Sequence, residues 1–242
     1  MKSKKIINGV VGVVAATVMT VGQVPVVAIA DADNTGSTSE TFTNASARAA
    51  IKAYKEDIVN KINALTGTDS ATKSTYITDL EAYYKTQDER IEKGDLKNAT
   101  DLEYRNFIAS YETTVTNTYY VPVKLLSDKN ETESYLKTYA ASYTNMISAK
   151  TLTKLTDDNV KVYQKAISNC LDDAKKSIEA IKADDVITTP EAVEIEKAAQ
   201  EKNIKAVYDK AVALNTERTN TENSIDTYSK DYSAEVNGLK NL

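Results

Sequence analysis

Apolar side chains from about residue 46 onward recur at alternating three- and four-residue steps, a spacing that places them on one face of a helix. Glycine and proline are nearly absent from these segments, which leaves little of the turn chemistry that a β fold needs. The pattern predicts an all-α protein made of antiparallel helical bundles with six or seven helices. Its helical segments cover about 46–66, 68–93, 95–118, 130–150, 156–181 and 188–214, with a further apolar stripe at 225–239.

The few remaining glycines and prolines indicate where helices should stop. Gly67 and Gly94 follow apolar stripes and are expected to end the first two helices. Pro122 disfavours helical geometry in the residue before it, so the strongest predicted break lies there. These signals predict a three-helix bundle at 46–120, a linker at 121–127 and a second helical bundle at 128–242.

The C-terminal third of the chain permits two interpretations. Thr188 and Glu191 form a capping-box pattern that marks a helix start. Residues 215–224 are poor in apolar side chains and rich in Thr and Asn, so they are either a loop or the solvated middle of one long helix. Because no glycine or proline lies within them, we favour one helix over 190–238. Such a helix would be about 70 Å long and would make the protein elongated.

The first thirty residues have the layout of a secretory signal peptide. A lysine-rich head precedes an apolar run at 6–21, and the small residues Ala28 and Ala30 suit a cleavage site. The alternative is an uncleaved N-terminal membrane anchor, although the run is short for a bilayer span. We therefore expect a signal peptide at 1–30, a mature chain starting near Asp31 and a disordered polar spacer at 31–45.

Removing this leader makes the protein more acidic. The full chain has 30 basic and 35 acidic side chains, and the leader contains three lysines and no acid. The mature chain would therefore carry 27 basic against 35 acidic side chains, a net charge of −8. Phosphate backbones and anionic lipids repel such a chain. Nucleic acid is not expected as a partner, nor is membrane insertion of the mature chain.

The residue types needed for most catalytic and metal chemistry are missing. There is no histidine and a single cysteine, Cys170, so imidazole-dependent nucleophiles, zinc sites and disulfides within the chain are excluded. Residues 31–36 begin like a calcium loop, but Phe42 occupies the position that requires a glutamate. We expect no metal and no cofactor, and we interpret Cys170 as a core residue.

Carboxylates are the remaining candidates for catalysis. Adjacent pairs occur at 157–158, 172–173 and 184–185. Neighbouring residues on a helix point in different directions, and acids near a helix start are explained by its dipole. A glycosidase needs two carboxylates across a cleft, with the pKa of one raised. We interpret the pairs as solvated surface and expect no catalytic residue.

Tyrosine is unusually frequent, with fifteen residues against two phenylalanines and no tryptophan. Tyr135, Tyr139 and Tyr143 recur every fourth residue and should form a ridge on one helix face. The simpler interpretation is the edge of a core, with each ring buried and each hydroxyl reaching water. The functional interpretation is a contact surface, and these three residues are the candidate binding residues.

The sequence favours a non-enzymatic protein that works through its surfaces. The predicted fold resembles helical modules of secreted and surface proteins in Gram-positive bacteria. We expect a secreted helical scaffold or adhesin-like protein that binds a protein or cell-surface partner or copies of itself. It would be extracellular or loosely held at the cell surface. The alternative is a carboxylate-dependent extracellular glycan hydrolase.

Overall fold

The computed structural model describes residues 42–148, 150–182 and 188–240, which form helices joined by turns and loops and contain no strand. The all-α prediction is confirmed over this part of the chain. The predicted signal peptide and nearly all of the predicted spacer lie outside the described residues. The helices are α1 (Asn44–Ala64), α2 (Ser70–Lys93), α3 (Asp101–Val115), α4 (Val121–Met146), α5 (Asp157–Ala180) and α6 (Thr188–Lys240).

Side-chain caps determine where these helices start. The Thr43 hydroxyl accepts from the Ser46 N–H while the Ser46 hydroxyl accepts from the Thr43 N–H, a capping box that starts α1 at Asn44. The last two residues of the predicted spacer, 44 and 45, are therefore helical. Thr100 and Glu103 form a second capping box, so α3 starts at Asp101 rather than at the predicted Asp95. Gly94 ends α2 with a φ of 100°, as its position predicts.

The residues predicted to form a linker, 121–127, lie in the first turns of α4, so the backbone is helical through them. A π-helical turn, Thr116–Tyr120, joins α3 to α4, and the Val121 N–H donates to the Thr116 carbonyl. Pro122 follows Val121 in the first turn of α4. Since the ordinary backbone ladder is already interrupted there, the missing proline N–H and the bulk of its ring are accommodated.

Two hydrophobic clusters hold the helices together. One lies among α1, α2, α3 and Val123 at the start of α4, and the other among α4, α5 and α6. Ion pairs Arg48–Asp88 and Lys55–Glu81 join α1 to α2 in opposite chain order, so these two helices run in opposite directions. The described residues nevertheless belong to one compact unit. The largest fully buried side chains include Ile51, Ile58, Ile62, Leu80, Ile91 and Tyr111 in the first cluster and Leu136, Ile147, Ile167, Ile178 and Ile204 in the second.

The turn between α1 and α2 is fastened directly to α4. The Gly67 N–H donates to Ser127 Oγ at 2.9 Å and to Glu131 Oε1 at 2.8 Å, and Asn130 Nδ2 donates to the Gly67 carbonyl at 2.8 Å. The Thr66 hydroxyl adds a 2.6 Å bond to Glu131. A Cβ at position 67 would overlap the Ser127 carbonyl oxygen. Glycine is thus required here because two backbones approach closely.

Helix α6 continues through 215–224 and is a single helix of 53 residues, about 80 Å long. The interpretation of 190–238 as one helix is confirmed. Within the part of the chain that the structure describes, no helix combines the length and the apolar character needed to cross a bilayer.

Alanine substitutions at two glycines should have opposite effects on stability. Gly67→Ala is expected to lower the free energy of unfolding by about 2 kcal/mol, because the added methyl overlaps the α4 backbone. Gly238→Ala is the matched control. Nothing lies within 4 Å of its added Cβ, so it should raise stability by up to about 0.5 kcal/mol through helix propensity. Urea unfolding followed by circular dichroism measures both, and an unchanged Gly67→Ala protein would contradict the close approach.

Candidate contact surfaces

The tyrosine ridge lies along the seam between α4 and α6. Tyr135 stacks on Tyr139 with ring centroids 5.9 Å apart, and Tyr139 meets Tyr143 edge-on at 5.0 Å. Tyr143 in turn contacts Tyr208 of α6 at 5.1 Å. The structure thus brings the three predicted residues together and adds Tyr208, which sequence reasoning missed. Its signal was a position next to the apolar stripe of α6, between Ile204 and Ala211.

Most of this ridge is occupied by contacts within the chain. Tyr139 and Tyr143 are half-buried against the second hydrophobic cluster, and their hydroxyls lie 3.4 Å apart. The hydrogen bond to Tyr143, together with burial, raises the pKa of Tyr139 above its ordinary value. Lys197 of α6 places its Nζ 4.8 Å from the Tyr135 ring centroid, and a hydrogen bond with Glu201 raises the pKa of Tyr135. The predicted binding role stays a prediction. Tyr135 is 42 % exposed and is the most accessible of the three tyrosines.

Tyr135 also borders a shallow cavity of about 710 Å³ between the α1–α2 turn and α4. The cavity is polar and contains two carboxylates, Asp69 and Glu131. Its lining consists of Thr66, Gly67, Thr68, Asp69, Asn130, Glu131, Ser134, Tyr135 and Thr138.

Both carboxylates in this cavity are engaged in holding the backbone. Asp69 is the N-cap of α2, and its bonds from the Thr72 N–H and hydroxyl lower its pKa. The Thr66 hydroxyl is the first cause of a lowered pKa for Glu131, followed by Ser127 and the Gly67 N–H. A glycosidase acid needs the opposite shift, a raised pKa that keeps its proton at neutral pH. Both pKa shifts in this cavity therefore run opposite to the shift that a glycosidase acid needs.

Carboxyl groups with a raised pKa lie outside this cavity. Burial raises the pKa of Glu112 on α3 and that of Asp128 on α4. Lys124 binds both oxygens of Asp128, at 2.8 and 2.7 Å, so that carboxylate is part of an ion pair. Of the acidic pairs singled out from the sequence, 157–158 begins α5 and 172–173 lies within it, whereas 184–185 lies outside the described residues.

Neither metal nor thiol chemistry is assembled in the described residues. No group of three or more His, Cys, Asp or Glu side chains comes together there in a way that could hold a metal ion. The calcium-like stretch 31–36 lies outside them. Cys170 is half-buried on α5 beside the second hydrophobic cluster, and burial raises the pKa of its thiol. A raised pKa leaves less of the reactive thiolate at neutral pH.

The most exposed apolar surface lies on the last third of α6. Ile225, Tyr228, Tyr232 and Leu239 are 60–75 % exposed, and Val236 of the same stripe is half-buried. The sequence shows this stripe, but its spacing does not indicate that the stripe lacks a partner. Exposed large apolar side chains grouped on one face are typical of an interaction site.

The α4–α5 loop marks where the packed part of α6 ends. Its residue Lys154 donates its N–H to Asn215 at 2.9 Å and accepts from Arg218 at 2.9 Å through its carbonyl. The Lys154 ammonium also pairs with Glu222. Beyond the part of α6 that this loop contacts, every residue from 221 to 239 except Val236 is exposed. About 30 Å of amphipathic helix thus projects past the bundle.

No protein-family model, curated protein or solved structure matches this chain. Its function is therefore inferred from the surfaces described above.

Substituting a tyrosine by alanine should lower stability at the α4–α6 seam but not on the projecting part of α6. Tyr143→Ala is expected to cost about 2 kcal/mol of unfolding free energy, since it removes a half-buried ring that contacts Tyr139 and Tyr208. Tyr228→Ala removes the same atoms from a side chain that is 75 % exposed and should change stability by less than about 0.5 kcal/mol. Both are measured by urea unfolding at submicromolar protein concentration. Equal losses of unfolding free energy in the two variants would contradict the burial of Tyr143 and the exposure of Tyr228.

Glu131→Gln should flatten the acid side of the stability profile. The folded pKa of Glu131 is lowered, so its stabilising contribution is complete above its unfolded pKa of about 4.3. That contribution is lost as the pH falls through the folded value. The wild-type Tm should therefore drop more steeply than that of Glu131→Gln between about pH 5 and pH 3. Parallel Tm curves for the two proteins would show that the carboxylate is not held as described.

Proposed function

We propose that this chain is a secreted, non-enzymatic helical scaffold or adhesin-like protein that binds another macromolecule or itself. It acts outside the cell or loosely held at the cell surface, after removal of the leader at 1–30. The observation that carries the proposal is the projecting amphipathic helix at 221–240, on which Ile225, Tyr228, Tyr232 and Leu239 are 60–75 % exposed.

The chemistry of this helix suits protein contact. Tyr228 and Tyr232 offer large amphipathic surfaces at small cost in side-chain entropy, and such side chains are enriched at protein interfaces. Around them the segment carries four acids and two lysines. An acidic surrounding disfavours nucleic acid and anionic lipid, as the net charge of the mature chain also does. The partner is therefore a protein or a surface polymer without dense negative charge.

The arrangement of the helices into antiparallel bundles, six or seven helices in all, belongs to the same proposal. The opposite chain order of the α1–α2 ion pairs and the two separate hydrophobic clusters support it. In this arrangement the second bundle acts as a base from which α6 extends to a partner.

The alternative function is a carboxylate-dependent extracellular glycan hydrolase. A feature that favours it is the cavity lined by Asp69, Glu131 and Tyr135. Both acids have lowered pKa values and structural hydrogen bonds, so neither is suited to donate a proton. A hydrolase would lose turnover of a wall or host polysaccharide on Glu131→Gln while keeping its fold.

Substituting the projecting stripe should abolish binding without unfolding the protein. The purified protein is probed against cell-wall material, host matrix proteins and immobilised copies of itself. The double variant Tyr228→Ser/Tyr232→Ser should lose at least tenfold in affinity for whichever surface is bound, with an unchanged Tm. Ser229→Ala/Ser233→Ala is the matched control on the flank of the stripe and should bind normally.

Two results would contradict the proposed function. One is binding that survives the double tyrosine substitution undiminished. The other is turnover of a polysaccharide together with no binding to any of the three probes.

A further inference from the structure

The apolar pattern of the projecting helix is symmetrical about Tyr232. Going outward from it, apolar residues stand four and then seven positions away in both directions. Toward the N-terminus these are Tyr228 and Ile225, and toward the C-terminus they are Val236 and Leu239. A helix with this pattern reads the same from either end.

This symmetry makes the stripe complementary to itself in the antiparallel sense. If two such helices pair about a two-fold axis at Tyr232, Ile225 faces Leu239 of the other copy and Tyr228 faces Val236. Every apolar side chain then meets an apolar side chain, which is what an isologous interface requires. The stripe repeats after eleven residues, from 225 to 236 and from 228 to 239, and this period lets paired helices run almost straight or with a slight right-handed supercoil.

The bundle itself excludes the parallel pairing. Seven-residue steps lead from the buried Ile204 and Ala211 through Arg218 to Ile225 and Tyr232, so the exposed stripe continues the seam that faces α4 and α5. The stripe drifts by about 20° per step, or about 60° from Ala211 to Tyr232, less than the width that two packed helices cover. A parallel partner would therefore run into α4 and α5. An antiparallel partner places its own bundle beyond the far end of α6.

The segment also needs a partner to be stably helical. It contains eight serine, threonine, asparagine and glycine residues among its twenty, and these are weak helix formers. In proteins most of the stability of a helix comes from the packing of its amphipathic face rather than from helix propensity. Burying the stripe against a second helix would supply the missing stabilisation.

We infer that a second copy of this chain covers the stripe, forming an antiparallel homodimer whose two-fold axis passes beside Tyr232. This inference rests on the proposed function and names the partner. Five apolar side chains from each copy would bury roughly 1,000 Å² in total, at the lower end for specific interfaces. The dimer should therefore be reversible, with a dissociation constant on the order of 10 μM.

Directed cross-linking distinguishes the antiparallel dimer from other arrangements. The full chain is expressed and the protein is purified from whichever fraction contains it. Cys170→Ser serves as background, to which Ile225→Cys or Leu239→Cys is added. An equal mixture of the two single variants should give at least ten times more disulfide-linked dimer than either variant alone, because positions 225 and 239 face each other across the axis. Dimer formed by either variant with itself, at the level of the mixture, would overturn the inference.

Sedimentation equilibrium provides the second measurement. The wild-type protein should dimerise over a range of about 1–100 μM, and Tyr232→Asp should weaken dimerisation at least tenfold. Ala234→Asp adds the same charge to an exposed position on the opposite face and should leave dimerisation unchanged. A wild-type protein that stays monomeric throughout, or a dimer insensitive to Tyr232→Asp, would overturn the inference.

The oligomeric state of the wild-type protein and the binding of the Tyr228→Ser/Tyr232→Ser variant together separate this inference from the proposed function. A monomeric protein that still loses binding to wall or matrix material on Tyr228→Ser/Tyr232→Ser overturns the homodimer and leaves the proposed function standing. A monomeric protein that binds none of these materials and turns over a polysaccharide overturns both.

Discussion

The packing of the buried part of α6, around Ile204 and Ala211, against α4 and α5 is the constraint on which the rest of the structure depends. Ile204 and Ala211 are fully buried there and join the second hydrophobic cluster to the longest helix of the chain. The α4–α5 loop closes this seam at Asn215 and Arg218. Helix α6 continues beyond the loop with the same spacing of apolar residues. The apolar face that packs against α4 and α5 inside the bundle is therefore exposed on the part of α6 outside it. Structure and proposed function therefore have one physical origin.

Polar contacts and one buried apolar residue of α4, Val123, link the two helical clusters. Gly67 at the α1–α2 turn approaches the α4 backbone, and Glu131 accepts bonds from Thr66, from the Gly67 N–H and from Ser127. The π-helical turn before Val121 adds a continuous backbone connection between α3 and α4. These links use the carboxylate that the polar cavity would need for hydrolysis, which explains why its pKa is lowered.

Local signals in the sequence predicted the helices well and their ends less well. Apolar stripes at three- and four-residue steps predicted the all-α class, and Gly94 predicted the end of α2. The absence of glycine and proline at 215–224 predicted the continuity of α6. Pro122 misled because its local preference is overridden by a π-helical turn that depends on tertiary packing. Tyr208 was missed, and the exposure of Tyr232 was not foreseen, for one reason. Periodicity gives the face of a helix but does not tell how far along that face a neighbouring helix extends.

Hydrogen–deuterium exchange along α6 tests the central claim most directly. Amides at 193–218 should be protected at every protein concentration, because α4 and α5 cover that face. Amides at 221–240 should exchange much faster in dilute protein and become protected as the concentration rises through the micromolar range. Equal protection of both segments in dilute protein, or rapid exchange at 221–240 at all concentrations, would contradict the account.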